Sequence, residues 1–298
     1  MDHYFVGRAP SKLDGILPSQ KVELVYFANE KIDTKNTLSH LLINNSTFSN
    51  MGFKQTIAEQ CDFSFCVFID CYFKRATLNQ VKFQSCKFIN CNFEGATFIG
   101  CDFQYAEFEG CYIPYAAMKD NLPHTRENIN GALCRALSIE CLNLGAIEDY
   151  KLYLFEERNA GEIHAIRKLF HPSESTYYKK YSFFDGLEGL LYFIRSKISK
   201  YLWGYGEKMS VLLRNILLVV LIYAILYSLR IDSIVVQQIS SYKYLSALYL
   251  SACTFFSADV AVLPLSTFWK MLLLSEHIVG AILVGFFGAA LFRQINRR

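Results

Sequence analysis

CDFSFCVFIDCYFKRATLNQVKFQSCKFINCNFEGATFIGCDFQYAEFEGCYI, residues Cys61 to Ile113, holds one phase of five residues from end to end. Extended in both directions, that phase runs Phe48, Phe53, Ala58, Phe63, Phe68, Phe73, Leu78, Phe83, Phe88, Phe93, Phe98, Phe103, Phe108, Ile113, Met118; fourteen of the fifteen are large and apolar, and eleven are Phe. Two residues earlier stands something small or modest: Cys61, Cys66, Cys71, Ala76, Val81, Cys86, Cys91, Ala96, Cys101, Ala106, Cys111, Ala116. A step of five advances an α-helix by about 140° and smears the Phe residues around its axis, while on a strand it alternates faces. The chain must therefore turn once in every unit.

Units such as Cys61-Asp62-Phe63, Cys91-Asn92-Phe93-Glu94-Gly95 and Cys101-Asp102-Phe103 resemble the pentapeptide-repeat family, and the resemblance covers residues 36–120. It implies a right-handed quadrilateral β-solenoid with four units per coil. Fifteen units then make about 3.75 coils, stacked ~4.8 Å apart. Residues twenty apart should stack, as in Cys71, Cys91 and Cys111. Such columns arise from the repeat itself. The opening MDHYFVGRAPSKLDG has no apolar run, so no secretory signal is expected, and most of the ten cysteines should lie in the cytoplasm. They read as reduced, buried small residues.

Residues 1–35 carry Pro10 and Pro18 and include Val22 to Phe27 as a short strand; they are expected to cap the solenoid, whose open end would expose apolar surface and unpaired backbone. After Leu122-Pro123 the spacing becomes helical. Leu133, Leu137 and Cys141 share one face, and Tyr150, Tyr153, Leu154, Ile163, Ile166 and Phe170 share another, so residues 121–186 predict a helical hairpin and linker. In residues 187–208, Leu190, Leu191, Ile194, Ile198 and Leu202 lie opposite most of Arg195, Lys197 and Lys200, which predicts a basic amphipathic helix on the inner leaflet.

Residues 209–298 read as a membrane module. Met209 to Leu229 carries one charge, Arg214, near an end, and Thr267 to Phe292 finishes with fifteen uncharged residues; both are long enough to span a bilayer. Between them Tyr244 to Ala258 is uncharged but short, which suits a re-entrant helix. Basic residues before the first span and after the second put both termini in the cytoplasm.

Ala247-Leu248-Tyr249-Leu250-Ser251, then Thr254, Pro264, Glu276 and Gly280, resemble the two-transmembrane potassium-channel pore family, in which a pore helix ends in T-x-T-T-V-G-Y-G-D and stacked carbonyls replace the ion's water. The resemblance implies a homotetramer, pore-helix positions at Tyr249, Ser251 and Thr254, filter support from Glu276, and an inner-helix gate or hinge at Gly280 and Gly285. Counted without gaps, the filter falls on Ser257, Ala258, Asp259, Val260 and Ala261, and both family glycines are missing. A register with one deletion instead places Thr254 to Ala258 in the filter and Asp259 on the aspartate that follows; the gapless count needs no repair of the pore-helix spacing and is preferred. Gly204-Tyr205-Gly206 copies part of the signature but precedes the first span and lacks the Thr-Val, and it reads as a joint.

The six histidines are scattered, there is no CxxC and no phosphate-cradling glycine motif, so no enzyme, metal or cofactor is expected, only permeant potassium and/or sodium. Residues 36–120 hold eight acidic against six basic side chains, too even a balance for a nucleic-acid mimic or binder. The whole reads as a multidomain membrane protein: a weakly selective, tetrameric cation channel in the cell membrane, regulated or localised by a cytoplasmic solenoid with a possible protein partner. The alternative is a non-conducting, membrane-anchored adaptor.

Overall fold

The computed structural model describes residues 11–13, 16–32, 37–170, 177–229, 242–258 and 266–296, and the chain divides into two compact units, 1–192 and 193–298. In the first unit, three-residue strands recur and pair in parallel with the strand one coil on. Tyr26–Ala28, Thr47–Ser49, Val67–Ile69, Lys87–Ile89 and Glu107–Glu109 form one sheet, and Thr37–Ser39, Ile57–Glu59, Thr77–Asn79 and Thr97–Ile99 another. Isolated bridges along Gly52, Tyr72, Asn92 and Tyr112, and along Leu42, Asp62, Lys82 and Asp102, supply the other two sides. All fifteen residues of the five-residue phase are buried. Their rings stack along the axis, with Phe48 on Phe68 at 4.7 Å and Phe88 on Phe108 at 5.1 Å, and meet edge-on across it.

The turn in each unit is made by left-handed backbone, at every fifth residue from His40 to Gly110. Only Gly95, Gly100 and Gly110 among these are glycine, so the remaining turns hold side chains where that conformation costs about 1–2 kcal/mol. The compensation is backbone pairing: Gln60 N–H donates to the Asn79 carbonyl at 2.9 Å, Asp70 to Ile89 at 2.9 Å and Arg75 to Glu94 at 2.8 Å, each a coil away.

Both ends of the solenoid differ from the expected boundaries. Parallel pairing reaches back to a bridge between Ser11 and Phe27 and takes in Lys21–Glu23, which aligns with Leu42–Asn44, so part of the expected cap is itself solenoid. There the register is one residue longer than the twenty of the later coils, which hides it from a five-residue phase. At the other end the phase runs to Met118, yet Pro114, without an N–H for a further ladder, precedes the short helix α1 (Tyr115–Met118), and Ala116 is exposed.

Helices α2 (Glu127–Asn143) and α3 (Ile147–Leu169) close that end. Leu133, Leu137, Cys141, Tyr150, Tyr153 and Leu154 join the solenoid core. Tyr153 donates to the Ile113 carbonyl at 3.1 Å, and Glu140 accepts from the Gly110 N–H at 2.6 Å. Ile163 and Phe170 of the expected apolar face are exposed; the buried residues of that half are Ala160, Glu162 and Ala165. The reason is close helix packing. In α4 (Phe183–Trp203), Gly189 sits where a Cβ would lie 2.5 Å from the Ala165 carbonyl oxygen, so the contact is made through small residues.

The second unit holds α5 (Met209–Ser228), α6 (Lys243–Phe255) and α7 (Thr267–Ile295). Helices α5 and α7 are long and apolar enough to cross a membrane, and α6, at 13 residues, is not.

Candidate functional site

Helix α6 is held against both long helices around one acid. Glu276 of α7 is fully buried. The Tyr227 hydroxyl from α5 donates to its Oε2 at 2.6 Å, and Ser251 Oγ from α6 lies 2.5 Å from its Oε1. Ser251 Oγ is also 2.9 Å from the Val220 carbonyl oxygen of α5, and its single proton serves one of the two acceptors at a time. A second tie, Tyr223 to Ser275 at 2.9 Å, joins α5 to α7 one helical turn away. Polar groups in such apolar surroundings are costly unless paired, so this node fixes the register of three helices at once.

Four residues on from Glu276, Gly280 lets the end of α6 approach. A Cβ there would fall inside contact of the Phe255 carbonyl oxygen and only 3.1 Å from its carbon, backbone that has no rotamer to yield. Gly285 meets nothing within 4 Å, and α7 runs unbroken through both glycines. The two positions expected as equivalent hinge candidates therefore differ: Gly280 is a site of close approach, and Gly285 lies open.

Of the remaining site positions, Ser251 is buried, Thr254 half-buried and Tyr249 exposed. Ser257 is left-handed, φ 58°, and the Ala258 N–H returns to the Cys253 carbonyl at 2.8 Å, so these two residues form a Schellman-type cap on α6. Asp259, Val260 and Ala261 lie outside the described residues. The sequence reading had no role for Tyr227. The signal available was a pair of hydroxyls, Tyr223 and Tyr227, four apart on one face of an otherwise apolar helix.

In the solenoid the cysteine columns do more than fill space. All ten cysteines are free thiols, and six of the seven in the repeat, all but Cys111, point at carbonyls 23 residues earlier: Cys86 Sγ lies 2.8 Å from the Phe63 oxygen and Cys66 Sγ 3.2 Å from that of Ile43. Burial pushes the Cys66 thiol up to about 12. At neutral pH such a group is a weak donor with almost no thiolate, which makes it a poor nucleophile and metal ligand.

The model of the pentapeptide-repeat family matches residues 53–84 and 78–112, with eight copies. Residues 53–112 are pentapeptide repeats. The match stops short of α2 and everything after it. No curated protein matches the chain. Among solved structures, the chain is similar to a pentapeptide repeat protein, Rfr23, from the cyanobacterium Cyanothece 51142, at 13% identity over 30% of this chain and 82% of that one, TM-score 0.25. It is also similar to QnrB1, a plasmid-mediated fluoroquinolone resistance protein, at 27% identity over 31% of this chain and 47% of that one, TM-score 0.19.

Proposed function

We propose that this chain forms a homotetrameric cation channel of the two-span, potassium-channel-like class in the cell membrane, with both termini cytoplasmic and the pentapeptide-repeat solenoid regulating or localising it. The observation that carries the reading is the node at Glu276. A helix too short to span is braced by Ser251 against an acid of the second apolar helix, Tyr227 of the first completes it, and Gly280 admits the short helix's end. That is the framework a pore helix needs to present the residues after it to an axis. Neither a peripheral anchor nor a plain helical hairpin requires a buried acid shared by three apolar helices.

The filter carries Asp259 where the preferred register would have a glycine. A ring of such carboxylates would concentrate cations over anions, and the missing glycines would leave fewer stacked carbonyl sites and little preference between potassium and sodium. The test is single-channel recording of the purified full-length protein in bilayers under bi-ionic conditions. A reversal potential near zero with potassium opposite sodium is expected, and Asp259→Asn should lower conductance more at low salt than at high salt, because screening removes the charge advantage. A reversal potential set by potassium alone refutes weak selectivity. Absence of any conductance refutes the channel and favours the membrane-anchored adaptor.

A further inference from the structure

Helix α4 has two opposite sides. On one, Gly186, Gly189 and Ser196 are buried, and a Cβ on Gly186 or Gly189 would press into Leu169 or Ala165 of α3. On the other, Phe184, Leu187, Leu191, Ile194, Ile198 and Tyr201 stand 43–78% exposed along the length of the helix. Their spacing alternates three and four residues without a break, which is the a/d seam of a coiled coil: Phe184, Leu191 and Ile198 at a, Leu187, Ile194 and Tyr201 at d. The seam is narrow. A helix lying on a bilayer buries a broad apolar face and turns a charged one to water, whereas the far side of α4 sets Gly186 and Gly189 against α3, and Leu190 and Leu202 beside the seam are half-buried. Glu188 and Arg195, both exposed, take the e position of successive heptads.

We propose that α4 is a self-association surface, pairing antiparallel with α4 of a second copy of this chain through this seam. Aligned so that all six seam residues are used, Phe184 meets Tyr201, Leu187 meets Ile198 and Leu191 meets Ile194. Antiparallel packing sets e positions against e positions, and in this register Glu188 of each copy lies beside Arg195 of the other. The complementarity therefore occurs twice. A parallel pair in register sets e against g, where Glu188 would face Phe183 and Arg195 would face Leu190, so neither charge would meet its opposite. Taking about 150–250 Å² for a large side chain, the exposed part of the six amounts to on the order of 600 Å² per copy, and two seams reach the roughly 1,000 Å² a specific interface needs. The inference stands on α4 alone and does not need the channel reading. The pairing is two-fold, so four chains would form two such pairs.

The test uses the full-length protein in phosphatidylcholine vesicles and reads no conduction. With Cys253→Ser the remaining native thiols are buried, and Leu191→Cys adds one thiol in the middle of the seam. A short bismaleimide should link it to its equivalent in a second copy, seen as a dimer on a denaturing gel. Glu188→Arg and Arg195→Glu should each lower the dimer yield about fivefold by setting like charges together, and the two combined should return it to within about twofold of the original. Recovery in the combined variant separates lost pairing from lost folding. A yield indifferent to the single changes, or still low in the swap, overturns the pairing. The same variants in vesicles containing phosphatidylglycerol test the leaflet as the rival occupant. There Glu188→Arg would raise and Arg195→Glu lower the protection of the introduced thiol from a water-soluble maleimide, and such opposite effects, in place of equal loss and joint rescue, also overturn the pairing.

Discussion

Replacing Glu276 by Leu tests whether the three helices are held by the node or only by apolar packing. The substitution keeps a side chain of similar bulk and removes both acceptor oxygens. The Tyr227 hydroxyl, fully buried, loses the acceptor it reaches at 2.6 Å, and stranding such a donor costs about 1–3 kcal/mol. Ser251 keeps the Val220 carbonyl at 2.9 Å, so only its tie to α7 is lost, which adds about 0.5–1.5 kcal/mol. Together the expected destabilisation is about 1.5–4.5 kcal/mol. Glu276→Gln behaves differently, because its amide oxygen still accepts from Tyr227 while its N–H donates to Ser251 Oγ and frees the serine proton for Val220; the cost should stay below about 1 kcal/mol. Unfolding by SDS titration from mild detergent micelles, followed by circular dichroism, reads the difference. The Leu variant should unfold at a clearly lower SDS fraction than the Gln variant. Adding Ser251→Ala should cost far less in the Leu background than alone, since the two share one network. Equal midpoints for Leu, Gln and the original protein would show that packing alone holds α6, and the argument for a braced pore helix would fall with it.

In the solenoid, Phe93→Asp places an unpaired charge where Phe73 stacks at 5.0 Å and Phe88 meets it edge-on at 5.4 Å; the cooperative melt of the solenoid should disappear at 37 °C, and wild-type melting would refute the inward placement of the repeat phase. Alkylation of denatured, non-reduced protein should modify all ten cysteines, whereas native protein at pH 8 should react slowly at the solenoid positions, with Cys66 held at about 12 by burial; protected pairs by mass would overturn the reduced assignment. His164, its Nδ1 3.0 Å from the Tyr178 hydroxyl, is held below its ordinary 6.5 by burial and by Lys168, against the pull of Glu127. The unfolded chain therefore binds the proton more tightly, so stability is full above about pH 6.5 and declines as pH falls through the folded value. Thermal midpoints between pH 7.5 and 5 should drop, and His164→Asn should flatten that drop; an unchanged slope would refute the assignment.

The solenoid core was legible because a narrow coil admits one large side chain per side, so each Phe position repeats with a fixed period however the surface varies. Its ends were not, since Lys21–Glu23 pairs one residue out of phase with the later coils and Pro114 interrupts the ladder while the apolar phase carries on to Met118. Hydrophobic periodicity likewise misplaced the second half of α3. It ranks large apolar residues as core, and Ile163 and Phe170 are large, but the contact with α4 is made through Ala165, Gly186 and Gly189, where the backbones come too close for bulk. In the second unit an acid in an apolar run marks itself, so Glu276 stood out; its partner Tyr227 did not, because one hydroxyl barely alters the character of a span. The apposition of Gly280 to the Phe255 carbonyl had no sequence signal beyond the glycine itself.

The position of the node bears on how the proposed channel would work with a filter that lacks the family glycines. Ser251, Tyr227 and Glu276 brace α6 one turn before its C-terminal end, and the Ala258 N–H to Cys253 bond caps that end without using any residue beyond Ala258. The short helix is thus anchored by groups that do not depend on the conformation of Asp259, Val260 or Ala261. In the proposed channel, framework and selectivity are consequently separable: substitutions in the filter should alter which ions pass and leave assembly intact, while Glu276→Leu should weaken the unit whatever the filter contains. Ions held in a stacked-carbonyl filter would add to tetramer stability by mass action, in proportion to how tightly they bind. In the proposed channel a filter lacking the family glycines would forgo much of that contribution, and the side-chain brace centred on Glu276 would supply rigidity that does not vary with the ions present.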